Sequence, residues 1–244
     1  MMKNAFRLPT IPVLCVALLL GVGAASAYEE VAVTNGGTIT GTVKLKGKAA
    51  AAGHKKVSKD EATCGHEVPD ESLVLKNGRV QYVVFSIEGI TSGKKVDKKT
   101  ATSLDNKGCR FVPHVQTIQV GAQLVIENSD PILHNTHGTY EGGRTAFNLA
   151  LPRKDLQIKK RVKKPGIIAM KCDAGHTWMR AYVLAFEHPY HAVSGEDGSF
   201  SISDVPPGSY TLSIWHEMLP AKTVDVTVEA GKTVNVAIEL EKGE

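Results

Sequence analysis

Three side chains that bind soft metal ions lie close together in the segment Lys-Cys-Asp-Ala-Gly-His-Thr-Trp-Met, residues 171–179. Cys172 offers a thiolate, His176 an imidazole and Met179 a thioether. Thiolate and imidazole bind copper well, whereas a thioether has little affinity for hard ions and typically serves as a weak axial ligand. The segment therefore predicts a copper site, and a trigonal site of this kind needs one more histidine from elsewhere in the chain.

The missing ligand is predicted to be His134. It follows a strand-like apolar run, residues 120–128, in the stretch Asn-Ser-Asp-Pro-Ile-Leu-His-Asn, residues 128–135. His137 lies three residues further on and is the alternative ligand. The proposed metal set is thus His134, Cys172, His176 and Met179, with one copper ion as cofactor.

Residues 109–186 resemble the cupredoxins, the blue-copper β-sandwich family. The resemblance is carried by the Val-x-x-Gly run that leads to Asn128, by the dipeptide His134-Asn135, by a Pro-Gly turn before the last strand, and by the Cys-His-Met loop. It implies that His134, Cys172 and His176 hold copper and that Met179 is axial. The loop reads Cys-x3-His-x2-Met, one residue longer than the Cys-x2-His-x2-Met of amicyanin-like members.

The C-terminal part resembles a second family. The stretch Asp-Gly-Ser-Phe-Ser-Ile, followed by Val-Pro-Pro-Gly-Ser-Tyr-Thr-Leu at residues 205–212, is similar to the marker of the carboxypeptidase-regulatory-like, transthyretin-like sandwich. The opening strand of that family, Gly-x-Ile-x-Gly-x-Val, is matched at residues 37–43, near the other end of the chain. The resemblance implies an inserted arrangement, with a copper domain at 101–186 inside a split sandwich, 28–100 and 187–244. Two domains in series with an extra N-terminal hairpin are the alternative.

The fold class predicted is all-β, a cupredoxin-like Greek-key sandwich plus a carboxypeptidase-regulatory-like sandwich. Alternation of apolar and polar residues predicts strands in most of the chain. Residues 80–87 are apolar enough for a central strand, and a hairpin around Pro165-Gly166 is expected to deliver Cys172. Residues 93–107 are expected to be a connection and residues 138–143 a glycine-rich loop.

The cysteine count agrees with a metal-binding thiol. Of the four cysteines, Cys15 lies in the N-terminal apolar run, which leaves Cys64, Cys109 and Cys172. An odd number in an exported protein indicates one disulfide and one thiol with another role. Pairing Cys64 with Cys109 leaves Cys172, the predicted ligand.

Export is predicted from residues 1–27. Lys3 and Arg7 precede an apolar stretch, and Ala25-Ser-Ala27 is a small-x-small cleavage pattern. Removing the two cations lowers the formal net charge from +4 to +2, too little to suggest a nucleic-acid partner. No later run is apolar enough to span a membrane, so the mature protein is expected in a periplasm or outside the cell, where disulfides persist.

The predicted set of metal ligands favours one-electron transfer over catalysis. The sequence contains no Cys-x-x-Cys-His haem motif and no glycine-rich phosphate loop. The chain is predicted not to be an enzyme. A redox protein, such as a cytochrome c or a periplasmic oxidoreductase, is the partner expected. The basic run Lys159-Lys-Arg161 with Lys163-Lys164 is typical of a solvated hairpin face. Its alternative, functional interpretation is a docking surface for an acidic redox partner. The alternatives are a copper-binding or delivery protein without redox turnover, and a cell-surface structural or glycan-binding module.

Overall fold

Strands make up nearly all the regular structure of this protein. The computed structural model describes residues 28–47 and 53–243; the predicted signal peptide, 1–27, lies outside the described residues. The described residues form two large apolar cores, each between two sheets, and a smaller apolar cluster of Val84, Val115 and Leu184 that joins the two sandwiches. The prediction of an all-β chain built from two β-sandwiches is confirmed. Within the described ranges, no helix is long and apolar enough to cross a membrane.

The first sandwich contains the predicted metal ligands. Its smaller sheet has four strands, in the order Phe111–Val112, Thr102–Asn106, Gln123–Asn128 and Leu156–Arg161. Its larger sheet has five, in the order Val115–Gln119, Arg180–Phe186, Gly166–Lys171, His134–Tyr140 and Thr145–Leu151. The strand Gln123–Asn128 buries alternate side chains, which is the pattern of a sheet with one face on a core.

The second sandwich is formed by both ends of the described chain. One sheet has the order His191–Val193, Val84–Ile87, Gly208–His216 and Leu219–Val228. The other has the order Ser199–Val205, Gly37–Leu45, Arg79–Val80 and Leu75–Lys76, with Thr233–Leu240 also paired to Gly37–Leu45. The short strands Glu29–Glu30 and Ser92–Gly93 form a separate parallel pair.

The strand Gly37–Leu45, near the N-terminus, pairs with strands from the C-terminal part of the chain. It pairs in parallel with the C-terminal strand, from Thr38 opposite Thr233 to Leu45 opposite Leu240. Its other edge pairs with Ser199–Val205. These pairings bring together strands that lie on either side of residues 101–186 in the sequence; the exact domain limits stay a prediction.

In sequence, a small hairpin lies between the strand Gly37–Leu45 and the next strand of the second sandwich, Leu75–Lys76. Its strands are His54–Lys56 and Glu67–Pro69, and the short helix Glu61–Cys64 forms its tip. A single 3-10 turn, Glu71–Leu73, follows. We call residues 53–70 the cap hairpin, because Lys59 and Asp60 near its tip contact the loop between Cys172 and His176.

The structure corrects three local predictions. Residues 93–107 are not merely a connection, because Thr102–Asn106 is an inner strand whose Leu104 is fully buried. The predicted loop at 138–143 begins later, since the strand continues to Tyr140. Residues 80–87 are two strands rather than one, and the chain bends between them at Tyr82, where φ is 66°.

Polar groups lie between the two sandwiches. Gln119 of the first donates an amide N–H to His191 Nε2 of the second, over 2.7 Å. His114 of the first contacts the Glu217 carboxylate of the second, and both side chains are buried. Burial lowers the pKa of His191 to about 4, with smaller contributions from the neighbouring His188 and Lys94.

We expect stability to fall on mild acidification. Unfolded His191 takes up a proton near its ordinary pKa of about 6.5, whereas the folded residue resists until about pH 4. Between these values the unfolded state binds more protons, so the free energy of unfolding falls as pH decreases, by up to about 1.4 kcal/mol per pH unit for one histidine. Urea unfolding of metal-free protein at pH 7, 5.5 and 4.5 measures this slope.

His191→Gln is expected to reduce the slope, since glutamine does not titrate. The matched control is His66→Gln, because the His66 side chain is 90% exposed. An unchanged slope in His191→Gln would contradict the assignment.

Candidate metal centre

Three metal-binding atoms converge at one end of the first sandwich. His134 Nδ1 lies 3.1 Å from His176 Nδ1, and Cys172 Sγ lies 3.6 Å from the same His176 nitrogen. Both imidazoles are completely buried and Cys172 is 4% exposed. The structure thus brings together the two histidines and the cysteine that the sequence analysis selected, from positions 134, 172 and 176.

Hydrogen-bond partners indicate which nitrogen of each histidine carries the proton. His134 Nε2 lies 2.8 Å from Asp130 Oδ2, and His176 Nε2 lies 2.8 Å from Asp60 Oδ2. An ionised carboxylate only accepts hydrogen bonds, so each Nε2 donates and a neutral ring keeps a bare lone pair on Nδ1. With both rings neutral, the two Nδ1 atoms that face each other are both acceptors, and a metal ion or a shared proton between them satisfies both.

The spacing of the three atoms fits a metal ion. With metal–nitrogen bonds of about 2.0 Å and metal–sulfur bonds of about 2.3 Å, two ligands at trigonal to tetrahedral angles are separated by roughly 3.2–3.5 Å for N and N and roughly 3.5–3.8 Å for N and S. The observed separations are 3.1 and 3.6 Å. Both separations from His176 Nδ1 are thus close to those of two ligands on one ion, and all three ligand atoms lie within 4.8 Å of one another.

Asp130 is the residue that orients His134. Its carboxylate also accepts the backbone N–H groups of Gly108, at 2.7 Å, and Cys109, at 2.8 Å. These two bonds fix the position of the carboxylate. Burial lowers the pKa of His134, and the neighbouring His176 lowers it further, while Asp130 opposes the shift. A neutral imidazole is the state that binds a metal.

Asn135 connects the two ligand segments. Its backbone N–H donates to Cys172 Sγ over 3.2 Å, and its side-chain oxygen accepts the backbone N–H of Asp173 over 3.3 Å. Because Asn135 follows His134 directly, these bonds hold the strand that carries one ligand against the loop that carries the others.

Met179 is buried at the start of the strand that follows the loop. It is 1% exposed and its backbone N–H donates to the His176 carbonyl over 3.0 Å. The neighbouring Trp178 donates its indole N–H to the Cys109 carbonyl over 3.0 Å. Between Cys172 and His176, Gly175 has a φ of 96°, which few other residues adopt.

His137 lies outside this cluster. It is separated from His134 by an odd number of positions on one strand, so it points to the other face of the sheet. Its Nδ1 lies 2.6 Å from Asp173 Oδ2. The structure therefore brings His134, rather than His137, to Cys172 and His176.

The cap hairpin closes the site from a distant part of the sequence. Asp60 stands at its tip, and Lys59 Nζ donates to the carbonyl of Ala174 over 2.6 Å. Val57 and Val68 are buried in the core of the first sandwich. The sequence analysis gave neither Asp60 nor Asp130 a role. Asp130 was present in the motif that precedes His134, whereas nothing in the local sequence marks Asp60.

The predicted disulfide is confirmed and anchors this cap. Cys64, at the end of the cap helix, is bonded to Cys109, and Cys172 is the free cysteine of the described residues. Cys109 also lies close to Asp130 and His134, but its sulfur is committed to the disulfide. The bridge therefore joins the cap that carries Asp60 to the backbone that binds Asp130.

The basic run lies at the far end of the sandwich. Its side chains border a cavity of about 470 Å³ whose charged lining residues are all cationic; they are Arg144, Lys160, Arg161, Lys163 and Lys164. Cys172 follows the opposite end of the strand Gly166–Lys171. Six residues of strand separate the two features by roughly 20 Å.

Comparison with known proteins gives one family match and several structural likenesses. Residues 174–241 match the model of the carboxypeptidase regulatory-like domain, which confirms that resemblance. The match begins inside the segment 101–186 that the sequence analysis assigned to the copper domain. No curated protein matches the chain.

The structural likenesses are partial. A purple cupredoxin from Nitrosopumilus maritimus is 19% identical, with 35% of this chain and 99% of that chain covered and a TM-score of 0.31. Amicyanin from Paracoccus versutus is 18% identical, with 35% and 81% covered and a TM-score of 0.31. A Cu-containing nitrite reductase from Thermus scotoductus is 17% identical, with 36% and 23% covered and the same TM-score. Likenesses this low carry no argument about function.

The mature chain, residues 28–244, is expected to contain one titratable thiol. Alkylation of metal-free, non-reduced protein in denaturant should label Cys172 alone, and labelling of the folded protein should be much slower because the sulfur is buried. Peptide mapping identifies the site, and Cys172→Ser, which should take up no label, is the control. Label on Cys64 or Cys109 would contradict the bridge.

Proposed function

We propose that this protein is an exported mononuclear copper protein that acts in one-electron transfer. The observation that carries the proposal is the pair of buried imidazole Nδ1 atoms, 3.1 Å apart, with the Cys172 sulfur beside them. Two imidazoles and a thiolate, with a thioether nearby in sequence, are a donor set typical of blue-copper electron-transfer sites. Met179 is the proposed axial ligand.

The chain's own residues would hold the donors in nearly one geometry. Asp130 and Asp60 orient the two imidazoles, and Asn135 fixes the cysteine sulfur. When bound, copper would supply a centre that gains and loses one electron. Because the ligands are buried and held by hydrogen bonds, they have little freedom to rearrange when the charge of the ion changes, which favours electron transfer over catalytic turnover. We propose no enzymatic activity.

Location and partner form part of the same proposal. The disulfide is consistent with an oxidising compartment such as a periplasm. We propose that the basic surface around Lys160 and Lys163 orients an acidic redox partner by long-range attraction. Because this surface is far from Cys172, the electron would pass between the two proteins at another place. The basic surface would therefore affect the rate at which the proteins associate and the dependence of that rate on salt.

Copper binding is the first consequence to test. Cu(II) added to metal-free protein is expected to produce a strong thiolate-to-copper absorption band in the visible. Cys172→Ser should abolish the band and His134→Ala should destroy the site, because each removes one of the three converging atoms. His137→Ala is the matched control on the same strand and should keep the band, since His137 bonds to Asp173 outside the cluster. Tight zinc binding without a Cu(II)-thiolate band would reject the redox function.

The axial role of Met179 gives a second test. Met179→Leu should retain copper and raise its reduction potential, because the change withdraws a donor that favours the oxidised ion. Voltammetry of the wild type and the variant measures the shift. A protein that delivers copper would instead lose Cu(I) affinity in this variant and release the ion readily to a chelator. An unchanged potential would remove Met179 from the ligand set.

A further inference from the structure

The Asp60 carboxylate, which belongs to the cap hairpin and not to a strand of the first sandwich, covers one edge of the His176 imidazole. Asp60 Oδ2 lies 2.8 Å from His176 Nε2, although the two residues are separated by 116 positions in the sequence. The ring is completely buried, while the Asp60 side chain is 37% exposed. The outer edge of the imidazole thus faces the cap hairpin.

We propose that Asp60 is the positioning residue for His176 and that the cap hairpin keeps the metal in place. This inference rests on the proposed copper function and adds to it a separate element that controls retention of the ion. By accepting the Nε2 proton, the carboxylate directs the bare Nδ1 lone pair at the metal position and increases the donor strength of the ring. The ion then leaves only when this contact is broken.

Several contacts show that the cap hairpin is held in this position. Val57 and Val68 anchor its two strands in the core of the first sandwich. Lys59 Nζ donates to the Ala174 carbonyl, directly within the metal-binding loop. Cys64 is covalently bonded to Cys109, which lies close to Asp130 and His134. Asp60 therefore does not reach His176 as a mobile surface side chain but as part of an anchored unit.

The conformation of Asp60 is also specific. Its φ of 56° and ψ of 36° are left-handed, a region in which aspartate and asparagine are enriched among non-glycine residues. Its side chain makes no capping bond to the helix that follows. Because the carboxylate is not used for the helix, its contact with His176 is the interaction that the geometry provides for it.

The consequence concerns how the site exchanges metal. An imidazole edge that was open to solvent would give an incoming chelator or acceptor protein access to the ion from that side. Here the acceptor would first have to displace the cap hairpin. The structure therefore assigns to the cap a role in keeping copper, which a delivery protein would not need.

The test compares three substitutions in the full mature protein. Asp60→Asn keeps an oxygen acceptor and tolerates the left-handed backbone but removes the charge, whereas Asp60→Gly removes the side chain without backbone strain. Glu61→Gln is the matched control, because it neutralises the adjacent carboxylate, which bonds to the exposed His66 and not to the site. Release of Cu(II) and, separately, of Zn(II) to a chelator is followed for each variant.

We expect Asp60→Gly to weaken metal binding by about 10- to 100-fold, the range found when outer-shell partners of metal-binding histidines are removed. Asp60→Asn should lie between it and the wild type, and Glu61→Gln should match the wild type. A second readout needs no metal: ¹⁵N shifts of the His176 ring in the metal-free protein should report the Nε2-protonated tautomer in the wild type and a mixture in Asp60→Gly.

The outcomes separate the two proposals. If the wild type binds zinc but gives no copper-thiolate band, the copper function fails, yet faster zinc release from Asp60→Gly still supports the role of Asp60. If Asp60→Gly and Glu61→Gln release both ions at the wild-type rate, or the His176 tautomer is unchanged, the inference is overturned while copper binding stands. A wild-type protein that bound neither ion would overturn both.

Discussion

The arrangement of the metal-binding end depends on two buried nitrogens that cannot satisfy each other. Each Nε2 is committed to a carboxylate, so the facing Nδ1 atoms of His134 and His176 are both acceptors, 3.1 Å apart. Burying unpaired polar atoms costs free energy. The proposed copper ion would remove that cost by accepting both lone pairs. The carboxylates, the disulfide and the cap hold these two atoms in the positions that the proposal requires.

The two carboxylates are attached to the rest of the molecule in different ways. Asp130 is fixed by backbone N–H groups and lies four residues from the histidine that it orients. Asp60 lies on a separate hairpin and depends on tertiary contacts for its position. The Cys64–Cys109 bridge connects the two systems, since Cys109 donates its N–H to Asp130 and Cys64 ends the helix that follows Asp60. A single covalent bond thereby supports both imidazoles.

Local sequence was sufficient to predict that His134, Cys172 and His176 lie together, and insufficient for the residues that orient the two histidines. Cys172 and His176 lie four positions apart, and the His134-Asn135 pair follows a recognisable strand, so residue type and spacing predicted them correctly as neighbours in space. Asp60 is brought to His176 by the packing of a hairpin 116 positions away, and no periodicity or motif encodes such a contact. Leu104 was missed for a related reason: Thr102–Asn106 is mostly polar, and its place inside a sheet is decided by its neighbours.

The cap hairpin connects strands of the second sandwich to the candidate metal site. In sequence it follows the strand Gly37–Leu45, which pairs on both edges with strands from the C-terminal part of the chain. Further along the chain, Glu71 forms an ion pair with Arg110, next to Cys109. Asp60 thus belongs to a segment that lies between strands of the second sandwich in sequence but packs against the first sandwich in space. A fragment cut at residues 101–186 would keep His134, Cys172, His176 and Met179 but would lose the Asp60 carboxylate and the partner of Cys109. The cap hairpin is therefore part of the site's support, and retention of the ion has to be measured on a chain that includes it.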